Sequence, residues 1–312
     1  MRIVRGLESF PPEGSPAVVA LGLFDGIHLG HRAILGTAVA RGRELGITAL
    51  ACTFDPRPME VLHPDRASLP ITTLAERLAL IAQTGIDIAL VLPFSVDFAA
   101  VEPEAFVKEV LVDRLQAREV VVGFNHRFGR GARGDAALLE ALGKRLGFRS
   151  HVVPPLTVDG VTVSSTEIRT ALRTGEVERA ARFLGRAYSV VGTVVQGAGR
   201  GRTLGFPTAN VAPEHPLLVA AGVYACHATV RGTGHPAVVN VGVRPTFGED
   251  TLAVEAHLLD FAGDLYGQPI RLDFVARLRE ERRFPGVESL RSQISLDVAE
   301  ARRALRGVSF TS

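Results

Sequence analysis

The run Gly22-Leu23-Phe24-Asp25-Gly26-Ile27-His28-Leu29-Gly30-His31 holds two histidines in the pattern H-x-G-H. It leaves an apolar stretch and opens a helical one. Gly22, Gly26 and Gly30 let a ligand approach the backbone closely. The free N–H groups and dipole of a helix N-terminus favour an anion. Two imidazoles placed there suit the charge that builds on a phosphate during displacement. One such histidine could simply cap and pack. Both together, with three glycines after a first strand, point to phosphate chemistry.

Two further segments fit that chemistry. In Gly123-Phe124-Asn125-His126-Arg127-Phe128-Gly129-Arg130, Asn125 both donates and accepts, and Arg127 and Arg130 suit phosphates or a plain basic turn. In Ser164-Ser165-Thr166-Glu167-Ile168-Arg169, Ser164 and Glu167 match the S-x-x-E capping box. The same hydroxyls with Arg169 also make an anion cradle at a helix start. The two readings are compatible, since a phosphate can displace a cap.

The C-terminal part carries a different set. Gly197-Ala198-Gly199-Arg200-Gly201-Arg202 is glycine-rich, and its amides could wrap phosphates with Gly199 and Arg202 at the ligand. It is neither a Walker A motif nor a G-x-G-x-x-G, and a flexible loop explains it equally well. Thr208 and Asn210 offer neutral oxygens at i and i+2, on one face if the chain is extended. Such oxygens suit Mg²⁺, which keeps waters and substrate phosphates as its other ligands. Glu255 is an acid within the apolar run Val254 to Phe261. A carboxylate there is costly unless paired or used, which makes it a candidate base. A solvent-facing strand residue is the plain alternative. Arg277, Arg279 and Glu280 read as structural or phosphate-adjacent.

These groups need elements to hold them. Apolar runs at Ala17–Phe24, Thr48–Phe54, Ile86–Phe94 and Glu119–Phe124 alternate with helical periods at His31–Leu45, Leu74–Ala82, Pro103–Leu115 and Ala136–Leu146. That alternation predicts an α/β domain with a parallel sheet, whose ligands bind beyond the carboxyl ends of the strands. After Gly185 the runs are short and β-branched: Ser189–Val195, Gly222–Arg231, Ala237–Val243, Leu252–Leu259 and Ile270–Val275. They predict an antiparallel barrel or sandwich, closed by a helix at Val287–Leu305. The expected domains are 1–186 and 187–312.

Composition narrows the function classes. With 312 residues, 46% hydrophobic and 22% charged, the chain has core enough for two soluble domains. A net charge of +2 makes no case for nucleic-acid or membrane-surface binding. The two cysteines, Cys52 and Cys226, fit a reducing compartment and give no zinc pattern. No apolar run is long enough for a membrane span, and Met1 to Phe10 holds no signal-peptide core, so a cytoplasmic location is expected.

Taken in order, the motifs G-L-F-D-G-I-H-L-G-H, T-F-D-P-R-P, G-F-N-H-R-F-G and S-S-T-E-I-R resemble the FMN adenylyltransferase module of prokaryotic bifunctional riboflavin kinase/FAD synthetases. G-R-T-L-G-F-P-T-A-N, V-G-V-R-P-T-F, V-E-A-H-L-L-D-F and R-L-R-E-E-R-R-F resemble its riboflavin kinase module. The resemblance runs from about residue 18 to residue 300. It implies a Rossmann-like nucleotidyltransferase domain followed by a Greek-key barrel of about six strands. By resemblance, His28, His31 and Arg169 stabilise the transferring adenylyl phosphate. Gly22, Asn125, Ser164, Thr166 and Arg169 hold ATP and FMN, and Phe24 and Phe54 line the nucleotide and flavin pockets. Thr208 and Asn210 bind Mg²⁺–ATP, with Gly199 and Arg202 nearby, and Glu255 activates the ribityl 5′-hydroxyl.

The expected substrates are riboflavin, FMN and ATP. No nucleic acid or membrane partner is expected, and the chain should be a monomer or weak homo-oligomer. Two positions depart from the family pattern: His126, where an aromatic is common, and Arg57, where histidine is frequent. They leave open a monofunctional riboflavin kinase with an inactive regulatory lobe. A flavin or nucleotide sensor without turnover is the third reading.

Overall fold

The computed structural model describes residues 1–10, 16–197, 201, 204–246 and 249–307, with backbone alone at 243–246 and 249–252. Two compact units emerge, Met1–Ser165 and Thr166–Ser312.

The first unit is a parallel sheet with helices. Its strands are β1 (Arg2–Arg5), β2 (Ala17–Leu21), β3 (Thr48–Phe54), β4 (Ile88–Leu92), β5 (Ala117–Gly123) and β6 (Arg149–Val153). A small antiparallel pair follows, β7 (Thr157–Val158) with β8 (Val161–Thr162). The order β1-β4-β3-β2-β5-β6 places β2 at the centre, with later strands added on either side. All five of its ladders are parallel. β2 is buried at every residue and β4 at all but the first, as a sheet covered on both faces demands.

Helices α1 (Leu29–Leu45), α2 (Pro58–Leu62), α3 (Leu74–Ala82), α4 (Val96–Ala99), α5 (Pro103–Ala105) and α6 (Ala136–Leu146) fill the crossovers. α5 runs into a π-helical stretch, Phe106–Arg114, within the helix predicted over 103–115. α1 buries Ile34, Leu35, Ala38, Val39 and Gly42, a single face, and stops at Gly46, whose φ of 66° suits glycine.

α1 is also tied to the sheet by charge. Glu119 on β5 is 5% exposed. It accepts two bonds of 2.7 Å from the Arg41 guanidinium and one contact of 2.7 Å from His151 Nε2 on β6. The Arg41 bonds, and then His151, hold its carboxyl below the usual range.

The second unit opens with α7 (Ser165–Arg173) and α8 (Val177–Leu184). β9 (Tyr188–Val195), β10 (Ala209–Pro213), β11 (Gly222–Val230), β12 (Thr233–Thr246), β13 (Glu249–Leu258) and β14 (Pro269–Arg279) then close a barrel in the order β10-β13-β12-β11-β14-β9. Its ladders are antiparallel. Arg277 links the two helices to the barrel, donating to Thr174 O at 3.3 Å and Ala221 O at 2.8 Å. The last helix, α9 (Val287–Ala304), packs Ala301 against Val223, Ala225 and Val238. Asp297, 2% exposed, anchors it through two-pronged bonds from Arg279 at 3.0 and 2.9 Å.

Replacing Glu119 by Ala leaves Arg41 and His151 without their shared acceptor. We expect a loss of about 3 kcal/mol from the first unit, seen as an earlier urea transition by circular dichroism, with Glu119→Gln losing less.

Candidate active sites

In the first unit, the strand order reverses at β2: β3 and β4 build to one side and β5 and β6 to the other. Such a switch point leaves a crevice beyond the carboxyl ends of the two strands. The H-x-G-H run leaves β2 there, and the segment 123–130 leaves β5 beside it.

The loop between β2 and α1 is held from below. Phe24, Gly26 and Ile27 have φ of 56°, 85° and 39°. A Cβ at Gly26 would meet the Ile71 side chain at 3.0 Å. Asp25, 2% exposed, accepts the amides of Ile71 and Thr72 at 3.0 and 3.2 Å. Arg57 lies 3.6 Å from its other oxygen and donates to Glu60 at 2.7 Å and Ser68 O at 2.6 Å. Arg77 of α3 donates to the carbonyls of Leu23 and Phe54 at 2.9 and 3.2 Å. Arg57 therefore braces the loop, a role its place in D-P-R-P does not reveal.

His28 is the N-cap of α1. Its Nδ1 accepts the His31 amide at 3.2 Å, so in the neutral ring Nε2 carries the proton and acts as donor. The two imidazoles stack with centroids 3.6 Å apart at 16°. Phe24, fully buried, meets His31 edge-on at 5.5 Å. Burial, then His28, then Arg77 push the His31 imidazole well below its usual range, so it stays neutral. At Gly22, a Cβ would meet the Phe24 ring at 3.0 Å. The Ser165 hydroxyl donates to Asp25 O at 3.1 Å, and Ser164 directly precedes α7. Thr166 and Arg169 lie in the first and second turns of that helix, in the second unit.

A cavity of about 420 Å³ opens at the carboxyl ends of β2 and β3, reaching from Leu21 and Phe54 to Phe94, Phe98, Phe106 and Phe128. Phe54 lines it; Phe24, His28 and His31 do not. Neighbouring rings are 6.0 Å apart from Phe54 through Phe98 and Phe106 to Phe128, and Phe94 lies 5.8 Å from Phe98. His126 ends the series, stacked on Phe128 at 5.9 Å. Burial pushes its imidazole down to about 4. Asn125 is exposed at the turn after β5.

In the second unit, strand register does the gathering. Asn210 on β10 stands opposite Glu255 on β13, and Glu255 stands opposite Asn240 on β12. Directly opposed residues project to one face, so an amide flanks the carboxylate on each side. Val254, Ala256 and Leu258 are buried while Glu255 and His257 are half-buried, so the acid sits on the face turned from the barrel core. Two strand faces explain the apolar run around it. Asn240 was missed in the sequence, where only its partner strand's acid stands out.

His257 donates from Nδ1 to Pro207 O, 2.7 Å away, steadying the segment before Thr208. A Cβ at Gly201 would fall 2.9 Å from Thr208 Oγ1, and one at Gly197 would strike the Asn210 amide. Glycine there lets the loop lie against both side chains. Thr208 also lines a cavity of about 610 Å³ that Ala256 and Leu258 share. Gly199 and Arg202 lie outside the described residues. Among the described residues no cluster of His, Cys, Asp and Glu could hold a metal ion, and no helix is long and apolar enough to cross a membrane.

Comparison with known proteins gives matches over both units. A family model described as FAD synthetase matches residues 11–167, and one described as riboflavin kinase matches 184–305. A bifunctional riboflavin kinase/FMN adenylyltransferase of Pseudomonas fluorescens is 39% identical over 303 residues, 97% of each chain. Proteins of the same name from Escherichia coli K12 and Bacillus subtilis are each 37% identical, covering 97% and 93% of both chains. A crystal structure titled macrolide-efflux protein from Streptococcus pneumoniae superposes with a TM-score of 0.89 at 29% identity, covering 97% of this chain and 99% of that one.

The depressed histidines make stability pH-dependent. Below about pH 6.5 the unfolded chain binds protons that folded His31 and His126 refuse, so stability falls as pH drops toward 4. Urea midpoints at pH 7.5 and 5 should show that loss, and His126→Phe should shrink it.

Proposed function

The chain belongs to the family of bifunctional riboflavin kinase/FMN adenylyltransferases, and from that premise we propose which residues carry each reaction. It phosphorylates riboflavin to FMN and transfers AMP from ATP to FMN, giving FAD and pyrophosphate. The observation that carries this reading is that both family models match, one after the other, within a single chain. A kinase with an inactive lobe is thereby disfavoured. We keep residues 1–186 as the adenylyltransferase domain and 187–312 as the kinase domain, the second family model starting at 184.

In adenylyl transfer, an oxygen of the FMN phosphate attacks the α-phosphorus of ATP, and the bond to the departing pyrophosphate breaks. His28 donates from Nε2 to the transferring phosphate, because Nδ1 is engaged by the His31 amide. His31 adds a second neutral imidazole, and the amides at the start of α1 add their dipole. Gly22 gives the nucleotide close access, Asn125 and Ser164 bind phosphate oxygens, and Thr166 and Arg169 keep the phosphate roles their motif implies. Phe24 holds the His31 ring at its angle. The aromatic cavity beside Phe54 seats the isoalloxazine ring.

In the kinase domain Glu255 takes the proton of the riboflavin 5′-hydroxyl, whose oxygen attacks the γ-phosphorus of ATP as ADP leaves. Asn210 and Asn240 fix the carboxylate between them. Thr208 and Asn210 would hold Mg²⁺, since both present the hard oxygens that ion prefers, and Mg²⁺ would neutralise phosphate charge there. Gly199 and Arg202 act on the ATP phosphates. The protein works as a monomer or weak homo-oligomer in the cytoplasm without nucleic acid, in keeping with two free, buried cysteines.

Purified protein with riboflavin, ATP and Mg²⁺ should yield FMN and then FAD in a chromatographic time course. His28→Ala should cut FAD formation at least ~100-fold and spare FMN formation. Glu255→Ala should cut FMN formation ~100- to 10,000-fold while supplied FMN is still adenylylated. A folded variant that loses both activities would overturn this division of labour.

A further inference from the structure

His126 ends the series of rings along the cavity wall that Phe54, Phe98, Phe106 and Phe128 make apolar. Its amide bonds to Gly123 O at 3.0 Å, which fixes it in the turn after β5. Its Nε2 is buried and meets no hydrogen-bond partner in the protein. A hydrocarbon ring would stack on Phe128 equally well and leave no polar atom unsatisfied. The nitrogen is therefore a cost to the empty fold that a ligand can remove.

The chemistry of that ligand follows from the surroundings. Burial keeps the imidazole neutral at physiological pH, so it offers an anion no charge. A neutral imidazole at the end of an aromatic wall suits a flat ring with a polar edge. It stacks with the wall and exchanges one hydrogen bond at the edge. The isoalloxazine ring has such an edge on its pyrimidine side, with an N–H and two carbonyls. Its other end carries only methyl groups.

We propose that His126 determines flavin specificity in the first domain: its unpartnered nitrogen hydrogen-bonds the pyrimidine edge of the bound isoalloxazine and so sets which end of the ring enters the cavity. This rests on the assignment of that cavity to FMN. His126 touches the ring and not the reacting phosphates, so it governs affinity and orientation rather than the chemical step.

The test uses the full-length enzyme and FMN adenylylation at saturating ATP. Lumiflavin, which has the ring without the ribityl phosphate, serves as inhibitor against FMN. His126→Phe keeps the aromatic stack and removes the nitrogen. The expected result is a rise of ~5- to 20-fold in KM for FMN and an equal rise in the lumiflavin inhibition constant. The kcat, the KM for ATP and riboflavin phosphorylation should stay within about twofold, the error such comparisons carry. His126→Gln, which restores a polar atom, should recover most of the loss and serves also if the Phe variant does not fold. Flavin constants unchanged in His126→Phe, while lumiflavin still competes, overturn the role of His126 and leave the domain assignment standing. Failure of lumiflavin to compete with FMN in the unaltered enzyme overturns both.

Discussion

A carboxylate that is 2% exposed must be answered by donors, and Asp25 is where the first unit's site is made rigid. It lies between two glycine-dependent turns, directly before the helix that presents H-x-G-H. Its partners come from elsewhere in the chain: the amides of Ile71 and Thr72, and Arg57. Arg57 in turn reaches Glu60 and Ser68, and Arg77 binds the carbonyls of Leu23 and Phe54. The loop after β2, the end of β3 and the segment before α3 are thus joined into one polar support. Above it, the start of α1 is capped from within, the His31 amide donating to His28 Nδ1. In that support Arg57 and Arg77 are matched by Asp25, Glu60 and Asp55, and the His31 imidazole above it is held neutral.

The barrel solves the same problem by register. No loop has to bring Glu255 to its neighbours, because antiparallel pairing puts Asn210 and Asn240 opposite it. A slip by one residue on β13 would turn Glu255 and His257 inward and Val254 outward. Closure of the ring of strands prevents that slip, since each strand is paired on both sides.

Much of this was legible in the residues. Buried parallel strands read as unbroken apolar runs, and β2, β3, β4 and β5 were each found within two or three residues of their ends. Where reading failed, the cause is physical. β1 and β6 lie at the margins of the sheet and alternate too little to show a period; β1 begins and ends in arginine and its partner β4 is some eighty residues away. β10 follows Pro207 and Thr208 and carries Asn210 where an apolar run would mark a strand, so five runs suggested the barrel and a sixth completed it. The H-x-G-H site is local, which is why spacing revealed it. The Asn210–Glu255–Asn240 row and the bracing by Arg57 depend on contacts between distant segments, which no local pattern encodes.

The two architectures also differ in what they show to other chains. Among the described residues every barrel strand has a neighbour on both sides, whereas an open sheet keeps two edge strands. The first unit's open sheet ends in β1 and β6, and each has an unpaired row of amides and carbonyls. Arg2 and Arg5 flank one, Arg149 and His151 sit on the other. Charge at those margins opposes the stacking of one molecule's sheet on the next. The barrel needs no such guard along its paired strands, so the edges that charge must protect belong to the first unit.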